Sequence, residues 1–124
     1  MLRACKRVLR PSGRMAFLTI HTADGADTAD RRAARYYGPR MVNASSDYQS
    51  LLARSGFHDI RAYDLTTEFL RISLAWERAR ERHADALIAA LGEARVREMR
   101  SDSRLNIEGI RRGLLRRSLF VATR

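Results

Sequence analysis

The first part of the chain alternates between a helical pattern of apolar positions and a continuous apolar run. Residues 1–9 place Leu2 and Leu9 on one helical face. Pro11 ends this helix, because the residue before a proline is pushed out of the α region. A Ser-Gly turn follows, and the mostly apolar run 14–20 then predicts a strand that is covered on both faces.

The middle of the chain predicts a second helix-strand pair after a less regular stretch. Residues 21–44 are rich in turn-forming residues and predict an irregular segment that is helical in part. Ser46 or Asp47 can cap a short helix, and Gly56 can take the left-handed position that closes it. Residues 59–65 alternate imperfectly and predict a second strand.

A long helical insert separates this strand from a third. Thr66 or Thr67 can cap a single helix over residues 68–91, and two shorter helical pieces follow at 93–100 and 103–112. The apolar stripe of the long helix is Phe69, Ile72, Trp76, Ala79, His83, Leu87 and Leu91. Residues 114–123 predict a buried strand whose pairing direction the pattern leaves open. Alternation of strands and helices of this kind predicts an α/β fold.

Composition indicates one globular domain. The 124 residues are 45% apolar, which suits a modest core. No apolar run approaches the roughly 18 residues that cross a bilayer, and no secretory signal is evident. Cys5 is the sole cysteine and lies on the apolar side of its helix. It is interpreted as a core residue in a reducing compartment, which predicts a cytoplasmic protein.

The net charge of +10 raises the question of nucleic-acid binding. Of the 24 basic residues, 23 are arginine and one is lysine, which favours a coding bias over selection for phosphate contact. The basic residues are spread along the chain, with no dense run and no basic-aromatic interleaving on a strand. A nucleic-acid-binding module is therefore the third hypothesis, behind the two given below.

Three short motifs carry a resemblance to a known family. Residues 8–14 (VLRPSGR) resemble the "RVLxPGG" turn before the fifth strand of class I S-adenosylmethionine-dependent methyltransferases, with Ser12 where the family has a glycine. Residues 51–57 (LLARSGF) are similar to the "LLxxAGF" helix end before the sixth strand. Residues 116–122 (RRSLFVA) resemble the antiparallel seventh strand. Their order and spacing match the C-terminal half of such a methyltransferase, of the ubiquinone/menaquinone-biosynthesis type.

The resemblance implies a partial Rossmann-like methyltransferase fold. Its sheet would be a three-stranded mixed sheet of order 5-7-6, with helices around it and a long helical insert before the last strand. The chain would be a single partial domain, 1–124, made of a helix-strand-helix-strand unit (1–65), the insert (66–112) and a closing strand (113–124). Strand 14–20 would then have one open edge, with Met15, Phe17 and Ile20 along it. Such an edge predicts self-association or docking of a separate N-terminal half.

The complete enzymes of this family use S-adenosylmethionine, which they hold with a glycine-rich loop after the first strand and residues at the second and fourth strands. Those strands do not correspond to any part of this sequence. No cofactor-binding residue is therefore assigned, and no cofactor is expected for this chain alone. The implied partner of the complete enzyme is a small-molecule acceptor.

Four residues are candidates for the acceptor side of such an enzyme. His21 directly follows the apolar strand and could act as a general base, or it is a loop histidine bonded to backbone. Tyr36 and Tyr37 could line an apolar substrate pocket, or they pin the preceding segment to the core. Trp76 could face a substrate pocket from the insert, or it is an ordinary packing residue.

The other histidines predict no chemistry. His83, on the stripe of the long helix, is interpreted as a buried or interface residue, and His58 as an exposed one. The three histidines lack i,i+4 spacing and a cysteine partner, so no metal site is predicted.

Two hypotheses of different class follow. The first is the substrate-side C-terminal portion of a small-molecule methyltransferase that is inactive alone. The alternative is a non-catalytic α/β remnant or interaction module.

Overall fold

The computed structural model describes residues 1–23, 25–39 and 47–124. Within these ranges the elements follow the α/β order that the sequence predicts. They are α1 (Leu2–Val8), β1 (Arg14–Thr22), α2 (Thr28–Tyr37), α3 (Tyr48–Arg54), β2 (His58–Asp64), α4 (Thr66–Arg82), α5 (Ala84–Leu91), α6 (Glu93–Arg111) and β3 (Leu115–Thr123). No helix in the described part of the chain is both long enough and apolar enough to span a membrane.

The last strand occupies the centre of the sheet. The order is β1-β3-β2, which corresponds to the order 5-7-6. Both pairings are antiparallel, so the three strands are not a mixed sheet as predicted. β1 and β2 run parallel to each other, but β3 lies between them in the opposite direction. Both pairings in this sheet are therefore antiparallel.

The two faces of the sheet carry separate cores. One core contains Leu52 of α3 with Phe57, Phe120 and Ala122, and Leu2 and Leu9 from the α1 region pack against it. The other contains Ala34 of α2, Phe69 of α4, Ile110 of α6 and Leu115. Phe120 and Leu115 are an odd number of positions apart on β3, so their side chains face opposite sides of the sheet.

The open edge of β1 differs from the prediction in one respect. Within the described residues β1 pairs only with β3, so its other edge is free. Met15 and Phe17 nevertheless pack against one core and Ile20 against the other. A free edge exposes backbone groups, whereas side chains alternate between the two faces. The exposed apolar side chain on β1 is Leu18, at 45%.

The helix before β2 has the predicted ends. The carboxylate of Asp47 accepts a hydrogen bond from the Ser50 backbone N–H at 2.8 Å. Ser46, the other predicted cap, lies outside the described residues. Gly56 has φ +83°, and the Phe57 N–H donates to the Leu52 carbonyl at 3.1 Å, which closes the last turn.

The predicted single long helix is interrupted at His83. There φ is −110° and ψ is +25°, so one non-helical residue separates α4 from α5, and both helices pack against α6. His83 is exposed, so its interpretation as a buried residue is wrong. The two predicted shorter pieces are instead the continuous helix α6, which packs against α2, α4, α5 and β3.

Helix α6 lies unusually close to its neighbours at Gly109. A Cβ atom at this position would lie 2.6 Å from Cβ of Tyr37 and 2.7 Å from Cδ1 of Leu115. Both distances are far below a van der Waals contact, so a larger residue here would push α6 away from α2 and β3.

Helix α4 begins differently from the prediction. Neither Thr66 nor Thr67 is its cap, because Thr66 is already helical. Instead, the carboxylate of Asp64, at the end of β2, accepts a hydrogen bond from the Thr66 backbone N–H at 2.8 Å. It also forms an ion pair with Arg116 at 3.3 Å. Two hydrogen bonds from Thr66 hold the pKa of Asp64 below its usual 3.8. The bond from the Thr66 side chain has the larger effect and the bond from its backbone the next, and the charge of Arg116 adds to them.

This pKa shift predicts a specific acid sensitivity. A carboxyl group whose pKa is lowered in the folded state stabilises the fold at pH values above its unfolded-state pKa. This stabilisation is lost as the pH falls through the folded-state pKa. We expect the free energy of unfolding of Asp64→Asn to fall less than that of the wild type on acidification from about pH 5 to about pH 3. Urea denaturation at each pH measures this difference. Asp85→Asn, on α5, is the control, and an acid limb in Asp64→Asn identical to that of the wild type contradicts the prediction.

Candidate functional site

His21 lies on the strand itself and not in a loop as predicted. It is the second-last residue of β1, is 8% exposed, and its ring packs edge-on against Tyr48 and Phe120 at centroid distances of 5.9 and 5.8 Å. Both ring nitrogens have partners. Nδ1 lies 2.9 Å from the Thr22 carbonyl oxygen, and Nε2 lies 2.9 Å from the Ser118 hydroxyl.

The partners of His21 determine its tautomer. A carbonyl oxygen can only accept, so Nδ1 carries the proton that is donated to Thr22. In the neutral ring Nε2 then accepts from the hydroxyl of Ser118, which is 6% exposed on β3. The bond joins a diagonal pair on one face of the β1-β3 ladder, because His21 is directly opposite Arg116. The basic nitrogen is therefore engaged inside the protein.

Tyr36 and Tyr37 end helix α2 and so are not loop residues as predicted. Their rings are nearly perpendicular, at 85°, with centroids 5.1 Å apart. Tyr36 is 67% exposed, whereas Tyr37 packs against the core and its ring lies 5.1 Å from the Arg112 guanidinium carbon. Tyr37 thus fixes α2 to α6, and Tyr36 presents an aromatic face to solvent.

Trp76 lies in a groove between α4 and α6, and its ring is largely uncovered. The side chain is 59% exposed, so it is not a core residue. The groove has a volume of about 370 Å³, within the range of small-molecule sites. The lining residues are Ser73, Trp76, Arg80, Met99, Asp102, Ser103 and Asn106.

Polar groups in this groove are placed around the indole. The Arg80 guanidinium carbon lies 5.7 Å from the centre of the Trp76 ring, and one of its Nη atoms donates to Ser103 at 3.0 Å. Oδ1 of Asn106 is buried and accepts no hydrogen bond from the described residues. A ligand with a hydrogen-bond donor would satisfy that oxygen, while a flat apolar body would rest on Trp76.

The structure therefore separates the candidates that the sequence put forward together. His21 lies inside the sheet-α3 core, Tyr36 is at the end of α2, and Trp76 is in the insert. Sequence reasoning missed Asn106 and Ser118. Arg80 alone had a usable signal, its i,i+4 spacing from Trp76.

The described residues can be compared with what a metal site and a cofactor site require. No group of three or more His, Cys, Asp and Glu side chains in the described ranges is arranged to hold a metal ion. The β2-α4 connection is a single residue, Leu65, and the described part of the β1-α2 connection contains one glycine, Gly25. Neither is a glycine-rich loop of the kind that binds a nucleotide-like cofactor, so the residues described do not fit S-adenosylmethionine.

Comparison with solved structures relates the fold to methyltransferases. A protein from Galdieria sulphuraria that is described as a sarcosine dimethylglycine methyltransferase matches with a TM-score of 0.82 at 18% identity. The match covers 98% of this chain and 45% of the Galdieria chain. Phosphoethanolamine N-methyltransferase 2 of Haemonchus contortus, bound to phosphomonomethylethanolamine and S-adenosylhomocysteine, matches with a TM-score of 0.81 at 16% identity, over 99% and 29%.

A cyclopropane synthase of Mycobacterium tuberculosis has a similar likeness, with a TM-score of 0.74 at 16% identity over 99% of this chain and 48% of its own. No family model and no curated protein matches the sequence. The chain therefore has the fold of part of a Rossmann-like S-adenosylmethionine-dependent methyltransferase and spans less than half the length of these three structures.

The buried His21-Ser118 bond predicts a stability effect. Ser118→Ala leaves the buried Nε2 without its donor, so we expect a loss of about 1–3 kcal/mol in the free energy of unfolding. Urea denaturation measures it. In the double variant with His21→Phe both polar groups are gone, so the loss should be smaller than the sum of the two single losses.

Ser101→Ala, at an exposed position of α6, is the matched control and should change stability by less than about 0.5 kcal/mol. Additive losses in the double variant would contradict the assignment of this hydrogen bond.

Proposed function

We propose that this chain is the acceptor-side, C-terminal portion of an S-adenosylmethionine-dependent methyltransferase that acts on a small molecule. The observation that carries the proposal is the match of nearly the whole chain to methyltransferase structures at TM-scores of 0.74–0.82. The proposal also takes the chain as one partial domain, with 66–112 as an insert before the closing strand, and places it in the cytoplasm.

The proposed acceptor site is the α4-α6 groove. Trp76 supplies an aromatic surface for the apolar part of the acceptor, and the free Oδ1 of Asn106 accepts from its hydroxyl or amine group. Asp102 adds a carboxylate that would favour an amine. Tyr36 and Tyr37 do not line this groove and are proposed as a separate aromatic surface for the acceptor at the end of α2, with Tyr36 as the contacting ring because it is the exposed one.

For His21, the geometry favours a positioning role over that of a base. To take a proton from an acceptor, Nε2 would first have to lose the Ser118 hydroxyl, and the ring would have to leave its aromatic contacts. As a positioning residue His21 fixes the carboxyl end of β1 to β3, which is where ligands gather in open α/β sheets.

The donor is proposed to bind to a separate portion that supplies the family's first four strands. The free edge of β1 is the proposed docking point. On β1 the side chain of Leu18 is 45% exposed, and it begins a row that crosses the sheet through Leu119 to Tyr63 of β2, which is 47% exposed. Unpaired backbone groups on a strand with an exposed apolar side chain favour pairing with a further strand.

Calorimetry tests the location of the donor site. S-adenosylmethionine should give no binding heat with the chain alone, and should bind when the chain is mixed with a separately expressed segment that supplies the first four strands. Binding by the chain alone would overturn the proposal. No binding by the mixture, despite formation of a complex, would favour the alternative of a non-catalytic interaction module.

Trp76→Ala in that mixture should raise the KM for the acceptor more than it lowers kcat, because the indole contributes to binding in both ground and transition states. Leu91→Ala, an exposed apolar position outside the groove at 49%, is the control.

The free edge predicts that the chain associates when it is alone. Light scattering after size-exclusion chromatography should show dimers or larger species, since unpaired strand edges template association. Leu18→Lys should shift the chain toward monomer, while Leu91→Lys, matched in exposure but on α5, should not. A monodisperse wild-type monomer would contradict this prediction.

A further inference from the structure

Helix α6 has a second, arginine-bearing side besides the one that lines the Trp76 groove. Arg97, Arg100 and Arg104 are spaced by three and four residues, so they share one side of the helix. Met99 and Asn106, which line the Trp76 groove, are more than a quarter turn away from that side at 100° per residue. The arginine side therefore belongs to a different surface.

These arginines border a groove between α5 and α6. Its volume is about 490 Å³, which suits a small organic ligand. The apolar part of the groove is formed by Ile88 of α5, with Val96 and Leu105 of α6. Val96 is 3% exposed and Ile88 is 37% exposed, so the apolar surface runs from the core into the groove. Ser101 adds a hydroxyl to the lining.

Two of the arginines hold weak ion pairs. Arg97 lies 3.5 Å from Glu93, and Arg104 lies 3.4 Å from Glu77. The Arg97 and Glu93 side chains are 72% and 73% exposed, and long, exposed pairs of this kind contribute little to stability. Arg97 can therefore turn toward a stronger anion, whereas Arg104 is paired with the less exposed Glu77, at 27%. Glu93 is the single acidic residue against three arginines in the lining, so the groove is net positive.

Arg100, between the other two, is the residue whose polar capacity is unused. Its Nε is buried and has no hydrogen-bond partner among the residues the structure describes. Glu77 and Glu81 lie along the neighbouring groove that Arg100 also borders, yet neither forms an ion pair with it there. A buried charged donor without a partner is unfavourable. An oxyanion that draws the guanidinium outward, so that Nε and an adjacent Nη bind it side-on, would relieve this cost.

We propose that the α5-α6 groove binds a single-chain amphiphile whose head is an oxyanion, either a carboxylate or a phosphate. Arg100 binds the head, Arg97 and Arg104 flank it, and the alkyl chain lies on Ile88, Val96 and Leu105. The site is separate from the proposed acceptor groove and requires neither the donor nor methyl transfer.

Ligand probes test the site on the chain as it exists. Decanoate and decyl phosphate, below their micellar concentrations, should each bind saturably with one site per chain in calorimetry. Decanol, which lacks the charge, and inorganic phosphate, which lacks the chain, should each bind at least about tenfold more weakly. The better of the two anionic probes identifies the head group. Equal binding of decanol and decanoate would overturn the proposal.

Charge-matched variants separate this site from general attraction to a basic protein. Arg100→Met keeps the length of the side chain and should weaken binding of the better probe at least about tenfold. Arg111→Met, on α6 but outside the groove, removes the same charge and should leave binding nearly unchanged. Equal effects of the two variants would overturn the proposal. If Arg100→Met fails to fold, the wild-type probe series decides the question by itself.

Discussion

The antiparallel pairing of β3 with both other strands is the constraint on which the rest of the molecule depends. Thr123 is opposite Arg14 on one side and opposite His58 on the other, so the same strand sets the register of the whole sheet. Beyond its end, the Arg124 N–H donates to the Gly13 carbonyl and the Arg124 side chain donates to the Leu9 carbonyl. The last residues thus also fix the first turn.

The position of β3 also explains where helices can lie. Alternate residues of β3 contribute to both cores, and the helix that precedes it, α6, must pass over the sheet to reach it. Gly109 permits that passage, because the backbone of α6 there lies against Tyr37 and Leu115. The insert is consequently held to the sheet through α4 and α6, and its outer surfaces are left to form the two grooves.

Much of this fold could be predicted from local signals. Asp47 caps α3, Gly56 and Gly92 close helices with positive φ, and the two apolar runs and the imperfectly alternating segment become the three strands. Ser12, in the turn before β1, is a further local signal. It has φ +60°, which explains why the methyltransferase pattern prefers glycine at this turn and why serine there carries a conformational cost.

The features that could not be predicted depend on tertiary contacts. The apolar stripe passes through His83 without interruption, yet the backbone leaves the helical conformation at that residue, and α4 and α5 each pack against α6. The polar residues 101–103 suggest a break in α6, but packing on several sides keeps it helical. Likewise, no spacing rule pairs His21 with Ser118 or leaves Asn106 and Arg100 with unused polar atoms, since each depends on how distant segments meet.

The central position of β3 has a consequence for how the protein is made. Within this chain β1 and β2 precede β3, and among the described residues β3 is the strand with which both of them pair, whereas α4, α5 and α6 can pack through local contacts before β3 is made. Sheet formation must then close the loop from Arg14 to Thr123, and long-range closure of this kind is slow. Until that closure the helical insert can form through local contacts while β1 and β2 lack the strand that joins them, and this is the arrangement most exposed to misassembly.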